Sequence, residues 1–350
     1  MKKILVLVVV LMSVLALISC NSTDYSGTYA GYSWKGESKG VLLEDAEEKI
    51  ETKITLDKKG IITNVETDFL KLKDDKWIKR NDPDAVISVD SSVTPSQAIL
   101  GGEKVVSGES MFEIKTNDKM SLYVVGVDEN GTISYGIVDP ITRYLFELKL
   151  DSEFDYSTKI YDLKINEHFI PTVLTSTSGL LKPKSLDELN AMSPFDISIY
   201  SHVITLRGTY EGVSEETTVE EFLTLSGVSF TDGKPQTLEA TYGFHSAGGW
   251  KGNYDRIAEF MIGKDATELK GLTMYEGANY EGESYVLGIN EDNFFGINID
   301  SVSGATKTIQ KSYDTISGAT VRISRENTSF QRALVAAGII KEEDVIKGRF

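Results

Sequence analysis

The chain reads as an α+β protein of two tandem, strand-rich domains with few short helices, and three observations predict this. About 330 residues remain once an N-terminal leader is set aside, enough for two domains by the usual length relation. Four short matches then recur in the same order in the two halves. Gly27-Thr-Tyr-Ala-Gly31 matches Gly208-Thr-Tyr-Glu-Gly212, and Trp77, five residues before Asp82, matches Trp250, five before Asp255. Tyr123-Val-Val-Gly-Val-Asp-Glu129 matches Tyr285-Val-Leu-Gly-Ile-Asn-Glu291, followed by Tyr135-Gly-Ile137 and Phe295-Gly-Ile297. Finally, the apolar stretches are short and separated by Gly- and Asn-containing turns, as strands are.

The leader opens with Lys2 and Lys3, continues as an apolar run and ends at Leu17-Ile18-Ser19-Cys20. The run is too short for a membrane span and has no anchoring flank, so residues 1–19 are expected to be a secretory signal peptide. Leu17–Cys20 resembles a bacterial lipobox, which implies a lipid on Cys20 and a chain tethered to the cell membrane on its extracytoplasmic face. Cys20 is the only cysteine, so an exported chain has no internal disulfide to form. Loss of Lys2 and Lys3 takes the formal charge from −17 to −19. That balance argues against a nucleic-acid partner and against electrostatic binding to anionic lipid; it serves solubility. The domains are then expected at 20–170 and 200–350, joined by a Ser-, Thr- and Pro-containing linker at 171–199.

Within the first domain, Ile50–Leu56 and Lys58–Glu66 read as two strands around a Gly-containing turn. Met120–Val127 and Thr132–Val138 form a hairpin across Asp128-Glu-Asn-Gly131, with Asn-Gly at the turn. Arg143–Leu150 is a further strand. In the second domain Glu220–Leu225 and Ser284–Ile289 read as strands. Helices are expected around Ser185–Asn190, around Tyr254–Ile262, and from a cap at Asn327 or Thr328 onward, with Phe330 and Leu334 on one face and Gly338 as the stop.

The most specific stretch carries one pattern twice, as Asp300-Ser-Val-Ser303-Gly304-Ala305-Thr306 and Asp314-Thr-Ile-Ser317-Gly318-Ala319-Thr320. The first half has Val138-Asp139-Pro-Ile-Thr-Arg143 at the corresponding place and lacks the pattern. D-x-x-S-G-A-T resembles the flavinylation motif of the FMN-binding domain family, found in flavin-carrying subunits of sodium-pumping quinone reductases, Rnf-type complexes and extracytoplasmic reductases. The resemblance implies a duplicated FMN-binding-type domain whose first copy is degenerate. It also implies FMN joined through a phosphoester to the last Thr by an FAD-dependent FMN transferase. The residue types suit that chemistry. Gly318 and Ala319 keep the backbone thin where the transferase must reach the hydroxyl, Ser317 can shape the turn, and the resemblance suggests that Asp314 helps present the loop. The attached phosphate would favour a nearby helix N-terminus. The family places its motif just before a terminal helix, which ranks Thr320 first, whereas Lys307-Thr308 after Thr306 supports the other copy; both are open to modification.

Other chemistry is sparse. His168, His202 and His245 show no metal-ligand spacing. Phe244-His-Ser-Ala-Gly-Gly-Trp250 mixes glycines with aromatics and is a candidate lining for the flavin ring, with a structural His245 as the alternative. Arg322 and Arg325 are candidate phosphate partners or plain surface charges. No hydrolase triad, P-loop or Rossmann fingerprint is present. With no substrate constellation, the expected role is an electron carrier serving membrane or extracellular redox partners. A flavin-dependent reductase component and a non-redox binding lipoprotein are the rival classes.

Overall fold

β1 (Gly27–Trp34), β2 (Glu48–Leu56), β3 (Ile62–Lys73) and β4 (Lys76–Lys79) form a four-stranded antiparallel meander in the order of the chain. The structure is a computed structural model that describes residues 23–101, 104–139, 144–174, 189–197, 201, 203–206, 208–246, 248–268, 324–345, 347 and 350. The expected pair around Gly60 is β2–β3, and β2 alternates as a half-buried strand must, with Ile50, Thr52, Ile54 and Leu56 turned inward.

Two short ribbons follow. β5 (Ala85–Val89) pairs with β8 (Phe112–Thr116), and between them β6 (Ile99–Gly101) pairs with β7 (Lys104–Val106). β9 (Leu122–Val127) and β10 (Ile133–Val138) form the predicted hairpin. The Asp128 carboxylate closes its turn by accepting from the Asn130 and Thr132 amides, both at 2.9 Å. β11 (Tyr144–Leu150) and β12 (Phe169–Leu174) extend the sheet. After the small β13 (Phe230–Thr231) and β14 (Lys234–Pro235) hairpin, β15 (Leu238–Phe244) adds to its other edge, giving the order β12-β11-β10-β9-β15.

This second sheet is covered on both faces. One carries Val125, Tyr135, Phe146 and Leu148 against Tyr210 and Phe222; the other carries Leu122, Val124 and Leu145 against Met111 and Phe112 of the β5–β8 ribbon. Burial on both sides makes β10 and β11 almost continuously buried. In the first of these cores the hydroxyls of Tyr135, Tyr210 and Ser226 form a chain, 2.8 and 3.0 Å apart, that ends on the Phe222 carbonyl. Each buried hydroxyl is thereby satisfied. Glu147 on β11 is also buried and accepts from the Ser110 and Thr172 hydroxyls and, at 2.8 Å, from the Met111 amide. Burial raises its pKa, and those hydrogen bonds oppose the rise.

Three helices longer than one turn are described: α1 (Val219–Leu225), α2 (Gly249–Met261) and α3 (Ser324–Ala336). α1 corrects the expected strand at Glu220–Leu225. Thr218 and Glu221 make a reciprocal capping box, and Val219, Phe222 and Leu223 share the buried face, so a helical start signal outweighs a short apolar run. α2 covers the helix expected at Tyr254–Ile262 and begins five residues earlier. The helix expected around Ser185–Asn190 falls mainly outside the described residues, as do Ser284–Ile289 and the centre of the linker.

α2 and α3 close the first sheet. Trp250, Tyr254, Ile257 and Met261 of α2, with Phe330, Ala333 and Leu334 of α3, pack on Ile50, Ile54, Val65 and Phe69. A fully buried Phe such as Phe330 contributes about 2–3 kcal/mol through area removed from water. Phe330 and Leu334 do share a face, and the end at Gly338 is a Schellman turn, with Gly338 N–H on the Val335 carbonyl and Ile339 N–H on that of Leu334. Arg332 pins the helix to β1: it donates to the Tyr32 carbonyl at 2.7 Å, pairs with Glu37 and Glu342, and lies 4.7 Å over the Trp34 ring.

The α+β, strand-rich class holds, and a duplication is not shown. Gly27–Gly31 lies in strand β1, whereas Gly208–Tyr210 is a 3-10 turn; Trp77 lies in β4, whereas Trp250 lies in α2. The later matches, at 285–291 and 295–297, lie outside the described residues. The two halves also share their cores, because β15 pairs with β9 and α3 packs on β1 and β2.

Candidate functional site

The two pattern copies, Asp300–Thr306 and Asp314–Thr320, lie outside the described residues, as do Arg322, His202 and Cys20. What is described is the framework at either end of that stretch. On the entering side, Ala266 is buried and its amide donates to the Gly60 carbonyl at 3.0 Å, while the Ile62 amide reaches the Lys264 carbonyl at 2.9 Å. The chain is thus held on the β2–β3 turn just before residue 269. On the leaving side it enters α3 at Ser324, four positions after Thr320. Both ends rest on the first sheet.

The opening turns of α3 are unusual in composition. Glu326, Asn327, Thr328, Ser329 and Gln331 are all buried, although burying a polar side chain costs free energy unless it finds partners. Asn327 and Thr328, expected as caps, are therefore interior helix residues: α3 starts earlier, and the polar run that reads as a cap is enclosed by tertiary packing.

Most of these groups have partners. The Tyr254 hydroxyl on α2 donates to Glu326 Oε1 at 2.7 Å, tying the two helices together. Ser329 Oγ donates to the Glu326 carbonyl at 2.9 Å, which leaves it to accept from Thr52 Oγ1 of β2 at 2.6 Å. Gln331 Nε2 donates to the Asn327 carbonyl at 3.3 Å. The Asn327 side chain differs: it is fully buried, and neither its Oδ1 nor its Nδ2 has a hydrogen-bond partner.

Close approach of α3 to the sheet depends on Gly31. A Cβ there would fall closer than 3.0 Å to the Ser329 carbonyl oxygen, the Ala333 nitrogen and the Arg332 carbonyl carbon, all backbone atoms. Gly212, its counterpart in the matched segment, sits in open space at φ +84° and serves a left-handed turn.

Across the first core, Asp118 is buried and caps α2 from outside the helix, accepting from the Trp250 amide at 2.7 Å and the Met120 amide at 2.8 Å. The N-terminus of α2 is thereby occupied by a carboxylate of the chain itself. The Arg80 guanidinium stacks 4.7 Å from the Phe69 ring centre and 5.6 Å from that of Trp250.

His245 takes the structural alternative. It is completely buried at the end of β15; Nε2 donates to the Val138 carbonyl at 2.9 Å, so Nδ1 accepts from the Ser246 hydroxyl at 2.7 Å. Burial holds its pKa down to about 4, and the ring is neutral. His168 is partly exposed. Among the described residues no cluster of His, Cys, Asp and Glu could hold a metal, and no helix is long and apolar enough to cross a membrane.

No protein-family model, no curated protein and no solved structure matches this chain.

Proposed function

We propose that the chain is a membrane-tethered, extracytoplasmic electron-transfer flavoprotein carrying covalent FMN on Thr320, with Thr306 as the second acceptor position. The doubled D-x-x-S-G-A-T pattern carries this reading. Two features of the fold support it: α3 starts four positions after Thr320, and the opening turns of that helix hold a buried amide with unused donor and acceptor capacity. When bound, the flavin supplies the electron-accepting and electron-donating chemistry, and the protein's part is to hold it and set its surroundings. For attachment, the Thr320 oxygen would bond to the flavin-side phosphorus of FAD as the bond from that phosphorus to the AMP moiety breaks; AMP departs and the hydroxyl proton is lost to a base.

The test is intact mass after co-expression with an FAD-dependent FMN transferase. The wild type should gain one FMN less one water, or two such units if both copies are used. Thr320→Ala should lose the gain in the first case and halve it in the second, because the phosphoester needs the hydroxyl oxygen; Thr320→Ser should label in part. A colourless wild type of unmodified mass would sink the flavoprotein reading in favour of a non-redox lipoprotein. The tether is tested separately. Cys20→Ala should move the protein from the membrane to the soluble fraction, and a variant that still sediments with membranes would mean a different anchor.

A further inference from the structure

The two ends of α3 are buried by opposite chemistry. From Ser329 on, the helix is seated: its backbone lies against Gly31, Arg332 donates to the Tyr32 carbonyl, and Phe330, Ala333 and Leu334 fill the first core. Ahead of that seat Glu326, Asn327 and Thr328 are just as buried, with no apolar side chain among them. Neither polar atom of the Asn327 amide has a partner. Such groups are few in folded proteins, and keeping one buried costs the desolvation of its donor and of its acceptor.

Opening this first stretch moves polar groups into water and leaves the apolar ones where they are. Water replaces the hydrogen bond that Glu326 gives up and supplies those that Asn327 lacks, whereas undocking Phe330 or Leu334 would expose apolar area. The first turn of a helix is also the easiest to unwind, because its leading N–H groups have no partner within the helix. The catch on the neighbouring helix α2 is the Tyr254 hydroxyl, 2.7 Å from Glu326 Oε1. We propose that residues 324–328 form a latch, fastened to α2 by the Tyr254–Glu326 hydrogen bond and biased towards opening by Asn327, which unwinds and recloses while the helix from Ser329 on stays docked. The chain rejoins the framework at Ser324, so the latch is the fastening at that end. It does not depend on the flavin reading.

Native-state hydrogen exchange of the full chain tests this, in the wild type, Asn327→Leu and Tyr254→Phe. The reporters are the amides of Thr328 and Ser329, whose helical acceptors are the carbonyls of Ser324 and Arg325, with the Leu334 amide as reference. In the wild type, after correction for intrinsic rates, Thr328 and Ser329 should exchange about tenfold or more faster than Leu334. Low urea should leave their rates unchanged, as befits an opening that exposes little surface. Asn327→Leu should slow both by about tenfold or more, because the closed state no longer holds an amide without partners, and Tyr254→Phe should speed them several-fold by removing the catch. Reporters that match Leu334 in rate and in urea dependence would show that α3 opens only as a whole and would overturn the latch. Faster exchange in Asn327→Leu would also overturn it, since Asn327 would then be an ordinary structural residue, and rates unmoved by Tyr254→Phe would overturn the catch.

Discussion

Gly31→Ala is expected to lower the stability of the chain by about 3 kcal/mol or more, at the upper end of what overpacking costs. The added methyl would lie within 3.0 Å of three backbone atoms of α3, at Ser329, Arg332 and Ala333. A flexible side chain could swing away; a helical backbone cannot, so the whole helix must lift off β1. Lifting it strains three things together: the burial of Phe330 and Leu334, the Thr52–Ser329 hydrogen bond and the Arg332 clamp on Tyr32 and Glu37. The midpoint of urea unfolding would show the loss. Gly212→Ala is the informative partner, because nothing lies near that position and its cost is confined to the left-handed backbone, about 1 kcal/mol. Equal losses at the two sites would mean that α3 does not approach β1 as described.

The second large effect is a dependence on pH. His245 is neutral in the folded chain with its pKa lowered from 6.5 to about 4, first of all by burial. The unfolded chain therefore binds more protons between those values, and stability must fall as pH falls through that window. Its contribution is complete above about pH 6.5 and is lost progressively down to about pH 4, an amount on the order of 3 kcal/mol at 1.36 kcal/mol per unit of pKa. Glu147 acts in the opposite sense. Its pKa is raised by burial, so the stability it contributes is present at low pH and declines as pH rises above the ordinary carboxylate range. Comparing wild type with His245→Gln at each pH cancels that background. The difference in unfolding free energy between them should change by on the order of 3 kcal/mol from pH 7 to pH 4; parallel curves would show that His245 is not a buried neutral ring.

What the sequence makes legible is local. The hairpin at Asp128–Gly131 carries its own turn chemistry, β2 its period of two, and α3 its spaced apolar residues with a glycine stop; each is an interaction between near neighbours in the chain. α1 is equally local, yet Phe222, Leu223 and Leu225 also suit a strand, and the capping box of Thr218 and Glu221 is what decides for a helix. The start of α3 differs from the expectation for another reason. Asn327 and Thr328 are good caps by residue type, and only tertiary packing makes them interior. The repeat shows the same limit: Gly-Thr-Tyr-x-Gly is compatible with a strand at Gly27 and with a 3-10 turn at Gly208, and the neighbours decide. At the site, the double pattern is visible as text, whereas the unused amide of Asn327 can be recognised only once its surroundings are known.

The docking of α3 on the first sheet has a kinetic side. Thr52 and Ser329 are separated by 277 positions, and Arg332 reaches a carbonyl 300 positions earlier in the chain. Contacts of such high order are slow to form, since closing a long loop costs entropy before the contact returns anything. Until residues 324–336 arrive, Ile50, Ile54, Val65 and Phe69 lack part of their cover, and a nascent or truncated chain presents that apolar face to its surroundings. Native packing of the first sheet is thus withheld until residues 324–336 have been made, and only then is the stretch between Glu268 and Ser324 bracketed by native structure at both ends.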